Sequence, residues 1–305
     1  MSFSQTATVM KELLSPNQVA KAIGVSESSL KRWADQGRIT TVRTAGGHRR
    51  LPVSSVLEFV REQGLELIDA SVLGLPPTTG SGARTLDRGR DHLVEALTNG
   101  SFDAALQVVI DLYLVPYHLA EIFDVVIQPA LATVGHQWEQ GELEIYEERR
   151  SIEFCSRMLH ELSRMLPPPD TTGPKAIGGT LDGDPYTTAT RMAELVLRSV
   201  SYRSIALGNE LPFGTVKKAV TIEEPAMLWL SISSVRDPGD FTDRMLDLYE
   251  HCINSRTLFV VGGKALTGEV RRPLKYHGYC ETMSDLASFG QGQFEQLRGE
   301  QYIGG

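Results

Sequence analysis

The chain has 305 residues, 41% of them hydrophobic, and its 30 Lys and Arg against 38 Asp and Glu give a formal net charge of −8. That length accommodates two or three domains, and the apolar fraction is ordinary for a soluble globular protein. With no apolar run near the roughly 20 residues of a membrane helix, no basic-then-apolar leader, and Cys155, Cys252 and Cys280 too far apart for a disulfide framework or a CxxC metal site, a cytoplasmic protein without a membrane partner is expected.

The charge is segregated. Residues 1–64 hold nine Lys or Arg and five Asp or Glu, a local charge of +4 that leaves −12 on the remainder. A basic reader beside an acidic body is the expected division of labour, because phosphate backbones repel the acidic part.

The first predicted elements lie between Leu14 and Leu51. Val19, Ala20 and Ile23 mark an apolar helix behind the candidate N-cap Ser15. Gly24-Val25 makes a short turn. Ser26 then caps a second helix whose Leu30 and Trp33 point inward. The β-branched run Ile39–Val42 and the Gly46-Gly47 turn within Arg43–Arg50 predict a hairpin wing. Ser28, Ser29, Lys31 and Arg32 lie on or near the exposed side of the second helix, where they could reach base edges in a major groove. Arg43, His48, Arg49 and Arg50, around Gly46 and Gly47, are placed to hold phosphates or enter a minor groove. Leu51 is expected to serve packing only. This stretch resembles the DNA-binding module of MerR-family regulators, wing included, which implies a double-stranded DNA operator as partner.

Val53–Arg61 predicts a helix closing this first domain, set at residues 1–74. Residues 75–90, rich in Pro, Gly, Thr and Ser, predict a linker. Apolar residues then recur at helical spacing in Leu93–Leu97, Ala104–Leu114, Leu119–Val134 and Ile152–Leu166, a four-helix bundle over residues 91–169 that ends in a Pro run. From residue 170 to 305 the period changes. Strand-like runs at Lys175–Thr180, Tyr202–Gly208, Met227–Ser233, Thr257–Gly263 and Tyr279–Glu281 alternate with helical stretches, which predicts a Rossmann-like, doubly wound parallel sheet. The fold class is therefore multidomain α and α/β.

This order resembles the light-responsive, cobalamin-binding repressors of the CarH/LitR type. The matching residues are Trp138 with Glu148 after nine intervening residues, the loop Asp184-Pro185-Tyr186-Thr187-Thr188-Ala189 after the first strand, Ser231-Ile232-Ser233 ending the third, and Gly262-Gly263 ending the fourth. By that resemblance Trp138 and Glu148 cover a cofactor, position 186 binds cobalt from below, and Ser231, Ser233, Gly262 and Gly263 face a nucleotide tail. Three positions depart: Tyr186 and Arg149 stand where the family has His, and Ala189 where it has Gly. A phenol is a poor cobalt ligand and a guanidinium is none. A degenerate pocket is therefore expected, with no cofactor, and with adenosylcobalamin or another tetrapyrrole as the alternative.

Each of these residues has a plainer reading. Trp138 is equally a core aromatic or a lid. Tyr186 is expected to be a packed aromatic filling the cofactor's space, and Asp184 a cap for the helix that follows. Glu147 and Glu148 point about 100° apart on a helix and precede Arg149 and Arg150, so a salt-bridged face is expected rather than a catalytic pair. No HxxxH, HExxH, Ser-His-Asp or GxGxxG pattern supports a metal, hydrolytic or nicotinamide site, and the histidines are scattered, His136 near Trp138 among them. The expected function is a DNA-binding transcriptional regulator, a repressor, whose body drives homo-oligomerisation as a dimer or tetramer independently of cobalamin. The alternatives are a ligand- or light-sensing regulator using a bundle–sheet cleft, and a module binding a second regulatory protein.

Overall fold

The structure, a computed structural model, describes residues 12–82, 85–168 and 171–303, the last seven as backbone only. The expected domain limits at residues 1, 169, 170 and 305, and residues 83–84 of the expected linker, lie outside the described residues. The chain divides into two compact units, one of residues 1–118 and 125–168, the other of residues 119–124 and 169–305.

The first unit opens with β1 (Leu13–Leu14), α1 (Pro16–Ala22) and α2 (Glu27–Asp35). Ser15 and Ser26 cap these helices. Ser15 forms a full capping box with Gln18, and the Ser26 hydroxyl accepts from the Ser29 amide at 3.1 Å. The wing strands β2 (Val42–Arg43) and β3 (Arg49–Pro52) pair antiparallel, with β1 on the other side of β3. α3 (Val53–Gln63) follows directly and stops at Gly64, whose φ of 62° is a left-handed end that glycine takes without steric cost. Leu30 and Leu51 are buried, and Trp33 packs on Phe59 of α3 with ring centres 5.1 Å apart.

The stretch 75–90 is not a free linker. Leu75 and Thr79 are buried, and α4 (Leu86–Thr98) already begins inside it. The Asp111 carboxylate, itself buried, accepts from the Gly80 amide, and Thr78 exchanges hydrogen bonds with Gln107 at 2.6 and 3.0 Å. Composition shows only that such a stretch lacks helix or strand propensity. It cannot show that a carboxylate on α5 (Phe102–Leu114) takes up a backbone donor at Gly80.

The expected third bundle helix is interrupted. It runs as α6 (Leu119–Ile122), a π-helical turn at Phe123–Ile127, and α7 (Gln128–Glu139). Pro129 has no amide to donate back to residue 125, and the wider turn accommodates the missing bond. α6 belongs to the second unit, while α4, α5, α7 and α8 (Ile145–Met165) pack together in the first, so the reader and the bundle share one core.

The second unit is a parallel five-stranded sheet in the order β5-β4-β6-β7-β8. It consists of β4 (Lys175–Leu181), α9 (Thr188–Ser199), β5 (Arg203–Leu211), α10 (Phe213–Glu223), β6 (Met227–Ser231), α11 (Pro238–Asn254), β7 (Leu258–Gly262), the short α12 (Gly268–Arg271), β8 (Gly278–Cys280) and α13 (Met283–Ile303). β6 is buried at every residue, as a central parallel strand covered on both faces must be, whereas the edge strand β5 leaves Ile205 exposed. One face packs on α10 and α11 through Ile177, Leu228, Leu230, Phe259 and Val261. Strand alternation turns Gly178, Thr180, Trp229 and Ser231 to the opposite face, toward α9.

Candidate functional site

The predicted site residues fall in three places, the reader and the bundle of the first unit and the sheet of the second. In the first unit, Lys31 and Arg32 are exposed on α2, and so is Ser28. Ser28 and Ser29 also take part in the start of the helix, their hydroxyls lying 2.8 and 3.0 Å from the Ser26 hydroxyl. The wing turns at Thr44–His48, where the Gly47 amide donates to the Thr44 carbonyl at 2.8 Å and Gly47 sits at φ 77°. Exposed Arg43 and His48 flank this tip with Gly46 and Gly47. Arg49 is held back: it donates to Asp35 at the end of α2 at 2.8 Å, an ion pair that fixes the wing against the second helix. Arg50 is half-buried, and its guanidinium reaches the Arg49 carbonyl at 3.1 Å. The surface is a capped helix with the exposed cations Lys31 and Arg32 beside a positively charged hairpin tip, the arrangement that tracks a phosphate backbone and reads a groove.

The bundle's predicted residues follow. Trp138, near the end of α7, is 40% exposed and so is not a core aromatic. Glu148 is mostly covered, and its carboxylate pairs with Arg149 at 3.4 Å. Glu147 closes a capping box with the Glu144 amide, and Arg150 donates to the Thr98 carbonyl at 2.9 Å. With the Glu147–Arg150 pair at 4.0 Å, these contacts make a salt-bridged start to α8. His136 is exposed, 3.9 Å from Glu139.

In the second unit the strand order reverses between β4 and β6. The loops leaving those strands flank the crevice where ligands of such sheets bind. Asp184 clamps the two loops together. Buried to 1% exposure, it accepts from the Ser233 amide of the β6 loop and from the Tyr186 amide of its own loop, the latter at 3.2 Å. Thr180 fixes it further by donating to the Asp184 carbonyl at 2.5 Å while accepting from the Glu210 amide at 3.0 Å. Asp184 is therefore not the cap of α9, whose N-cap residue is Thr187 without a side-chain bond.

Tyr186 is not packed either. It is 43% exposed, with the Lys264 ammonium 5.1 Å from its ring centre. Ala189 lies half-buried on the first turn of α9, and Ser231 is buried at the end of β6. The two adjacent glycines are required by the sheet itself. A Cβ on Gly262 would stand 2.5 Å from the Cys280 carbonyl oxygen, and one on Gly263, at φ 116°, 2.3 Å from that of Ile232.

Sequence reasoning missed Trp229 and Thr190. The Trp229 side chain, 2% exposed, lies against the sheet beside Gly178, its register partner on β4. A Cβ on Gly178 would fall 2.1 Å from the indole. The indole N–H donates to the Thr190 hydroxyl of α9 at 3.3 Å. The available signals were a Trp in a largely apolar strand and a Gly-Gly pair in another, which only the register brings together. The loop after β4 thus carries a phenol at position 186, a poor ligand for cobalt, and the space beside Gly178 holds an indole.

Among the described residues no group of His, Cys, Asp and Glu is arranged to hold a metal ion, and no helix is long and apolar enough to cross a membrane. Cys155, Cys252 and Cys280 are buried, and burial pushes each thiol up to about 12, which suits packing rather than nucleophilic chemistry.

Residues 13–64 match the model of a helix-turn-helix domain family, and residues 90–162 match that of a B12 binding domain. The chain is 23% identical over 302 residues to the HTH-type transcriptional repressor CarH of Myxococcus xanthus, covering 93% of this chain and 97% of that protein. Among solved structures it is similar to the monomethylamine corrinoid protein of Methanosarcina barkeri, with a TM-score of 0.58 at 15% identity over 68% of this chain and all of that one. At that identity the likeness speaks for the fold alone.

Proposed function

We infer that this chain, a MerR-type regulator of the CarH kind with a helix-turn-helix domain ahead of cobalamin-binding-like domains, is a DNA-binding transcription regulator. One observation carries the reading: a doubly capped two-helix unit presents Lys31 and Arg32 beside a wing tip bearing Arg43 and His48. The second helix enters a major groove, with the wing over the adjacent backbone. Likeness to a repressor favours repression. A homo-oligomer reading a symmetric operator follows from the usual pairing of protein and operator twofold symmetry. The body assembles that oligomer without cobalamin, and no reaction is catalysed. Tyr186, Lys264 and the Trp229 indole support the cofactor-free reading.

The test is selection of bound duplexes from a random-sequence pool by the purified chain, followed by titration of the selected site against salt. A shared palindromic motif and a linear loss of log affinity with log salt are expected. Binding without any recovered motif would overturn the reading. Size-exclusion runs with and without adenosylcobalamin, in the dark and after light, test the assembly. An unchanged oligomer is expected, and a cobalamin-dependent one that light dissolves would favour a second reading. That second reading is a ligand- or light-sensing regulator that binds cobalamin without a His ligand, or another tetrapyrrole. It draws on the B12 binding match at residues 90–162.

A further inference from the structure

Behind the loops that leave β4 and β6, α9 packs on the strands, and a layer of side chains lies between that helix and the sheet. Two features meet there. β4 carries Gly178-Gly179 in its middle, in a strand otherwise buried by side chains. A glycine inside a strand marks a place that something approaches closely. On the α9 face the approaching group is the indole of Trp229, which lies where a Gly178 side chain would be and reaches across to Thr190. A flat bicyclic heteroaromatic, its one N–H satisfied by a buried hydroxyl, thus occupies a slot one strand and one helix wide, in the same layer as Ser231 and the Asp184 clamp.

We propose that Trp229 is the specificity-determining residue of the sheet domain: its indole fills from within the slot that would take a ligand's aromatic base, so the domain rejects corrinoids carrying a nucleotide tail. The chain supplies its own base, of nearly the shape of a benzimidazole. This deepens the reading that the body works without cobalamin. It does not depend on the DNA-reading surface, which is assayed separately. An ordinary core tryptophan would fill space equally well, but removing it would leave a site with no special preference for a flat N–H heterocycle.

The experiment uses the full chain and three probes: cobalamin, the tail-less corrinoid cobinamide, and free 5,6-dimethylbenzimidazole. In the unaltered chain cobalamin is expected to bind no tighter than cobinamide, and the free base to leave the melting temperature unchanged. In W229A, and in W229L as a milder opening, the free base should raise the melting temperature, and cobalamin should outbind cobinamide by about tenfold or more. If W229A does not fold alone, refolding it with and without the free base replaces the melting assay, and recovery only with the base is expected. A tail preference of about tenfold in the unaltered chain would overturn the proposal. So would folded variants that gain neither tail preference nor stabilisation by the base, or a failed W229A that the base does not restore. In the unaltered chain and in any variant that folds, DNA binding by the reader should be unchanged, which separates this failure from that of the regulator reading.

Discussion

Arg61 of α3 stacks 4.8 Å from the ring centre of Tyr113 on α5 and donates to that residue's carbonyl at 3.0 Å and to the Tyr117 carbonyl at 2.5 Å. One guanidinium thus satisfies the open end of a bundle helix from the last helix of the reader. The helix-turn-helix module and the bundle are thereby joined within one unit.

That contact should be measurable. Removing two charge-assisted hydrogen bonds and a stacked cation costs about 2–4 kcal/mol. R61A is expected to lower the urea midpoint of the unit and to separate reader and bundle unfolding in calorimetry. R61K should recover only part, because an ammonium cannot span both carbonyls in a planar fork. An R61A chain melting like the original, in one transition, would show that the link is not structural.

The wing arginines should differ from one another. Arg43 is exposed, whereas Arg49 is already paired with Asp35. R43A is expected to reduce the slope of log affinity against log salt by about 1, the signature of a lost phosphate contact. R49A should weaken binding by loosening the wing while leaving the slope unchanged. Equal slope losses in both variants would mean that Arg49 leaves Asp35 for the backbone on binding.

The sequence made some of this legible and not the rest, for physical reasons. Ser15 and Ser26 act on amides three residues away, and the strands declare themselves by composition, so caps, wing and a parallel sheet could be anticipated, though not the order of its strands. What could not be anticipated depends on partners distant in the chain. Asp184 resembled a local cap because its partner Ser233 lies in another loop. The expectation that Tyr186 packs into the cofactor's space rests on the resemblance, and the side chain is instead exposed beside Lys264, a partner distant in the chain. Trp229 gains its significance only once Gly178 is its neighbour. The apolar period ran unbroken through Phe123–Ile127, which hid the π-helical turn that Pro129 requires.

Asp124 illustrates such a distant partner and gives a further prediction. Its carboxylate accepts from the Met283 and Ser284 amides at 2.8 and 2.9 Å and from the Ser284 hydroxyl at 2.7 Å, capping α13 from a residue far earlier in the chain. A negative charge at a helix N-terminus also meets the positive end of the helix dipole. D124A should destabilise the second unit by about 1–2 kcal/mol and speed amide exchange in the first turn of α13. D124N, which keeps the acceptor but not the charge, should fall between the two. Unchanged exchange at residues 283–286 in D124A would count against the cap.

His277 makes the stability of the sheet unit depend on pH. Its Nδ1 accepts from the Phe259 amide at 2.9 Å, a bond only the neutral ring can make in this way, and burial holds its pKa below the usual 6.5. Because the folded value is the lower one, the unfolded chain takes up a proton first as pH falls. The contribution of His277 is therefore complete above about pH 6.5 and is lost progressively as pH drops toward and through the folded value. Urea midpoints measured at intervals from pH 7.5 to 5 should decline for the original chain. They should decline less for H277N, whose amide oxygen can accept the same bond without titrating. The difference between the two curves isolates His277 from the other groups that titrate there, and parallel curves would show that the ring keeps its proton balance on folding.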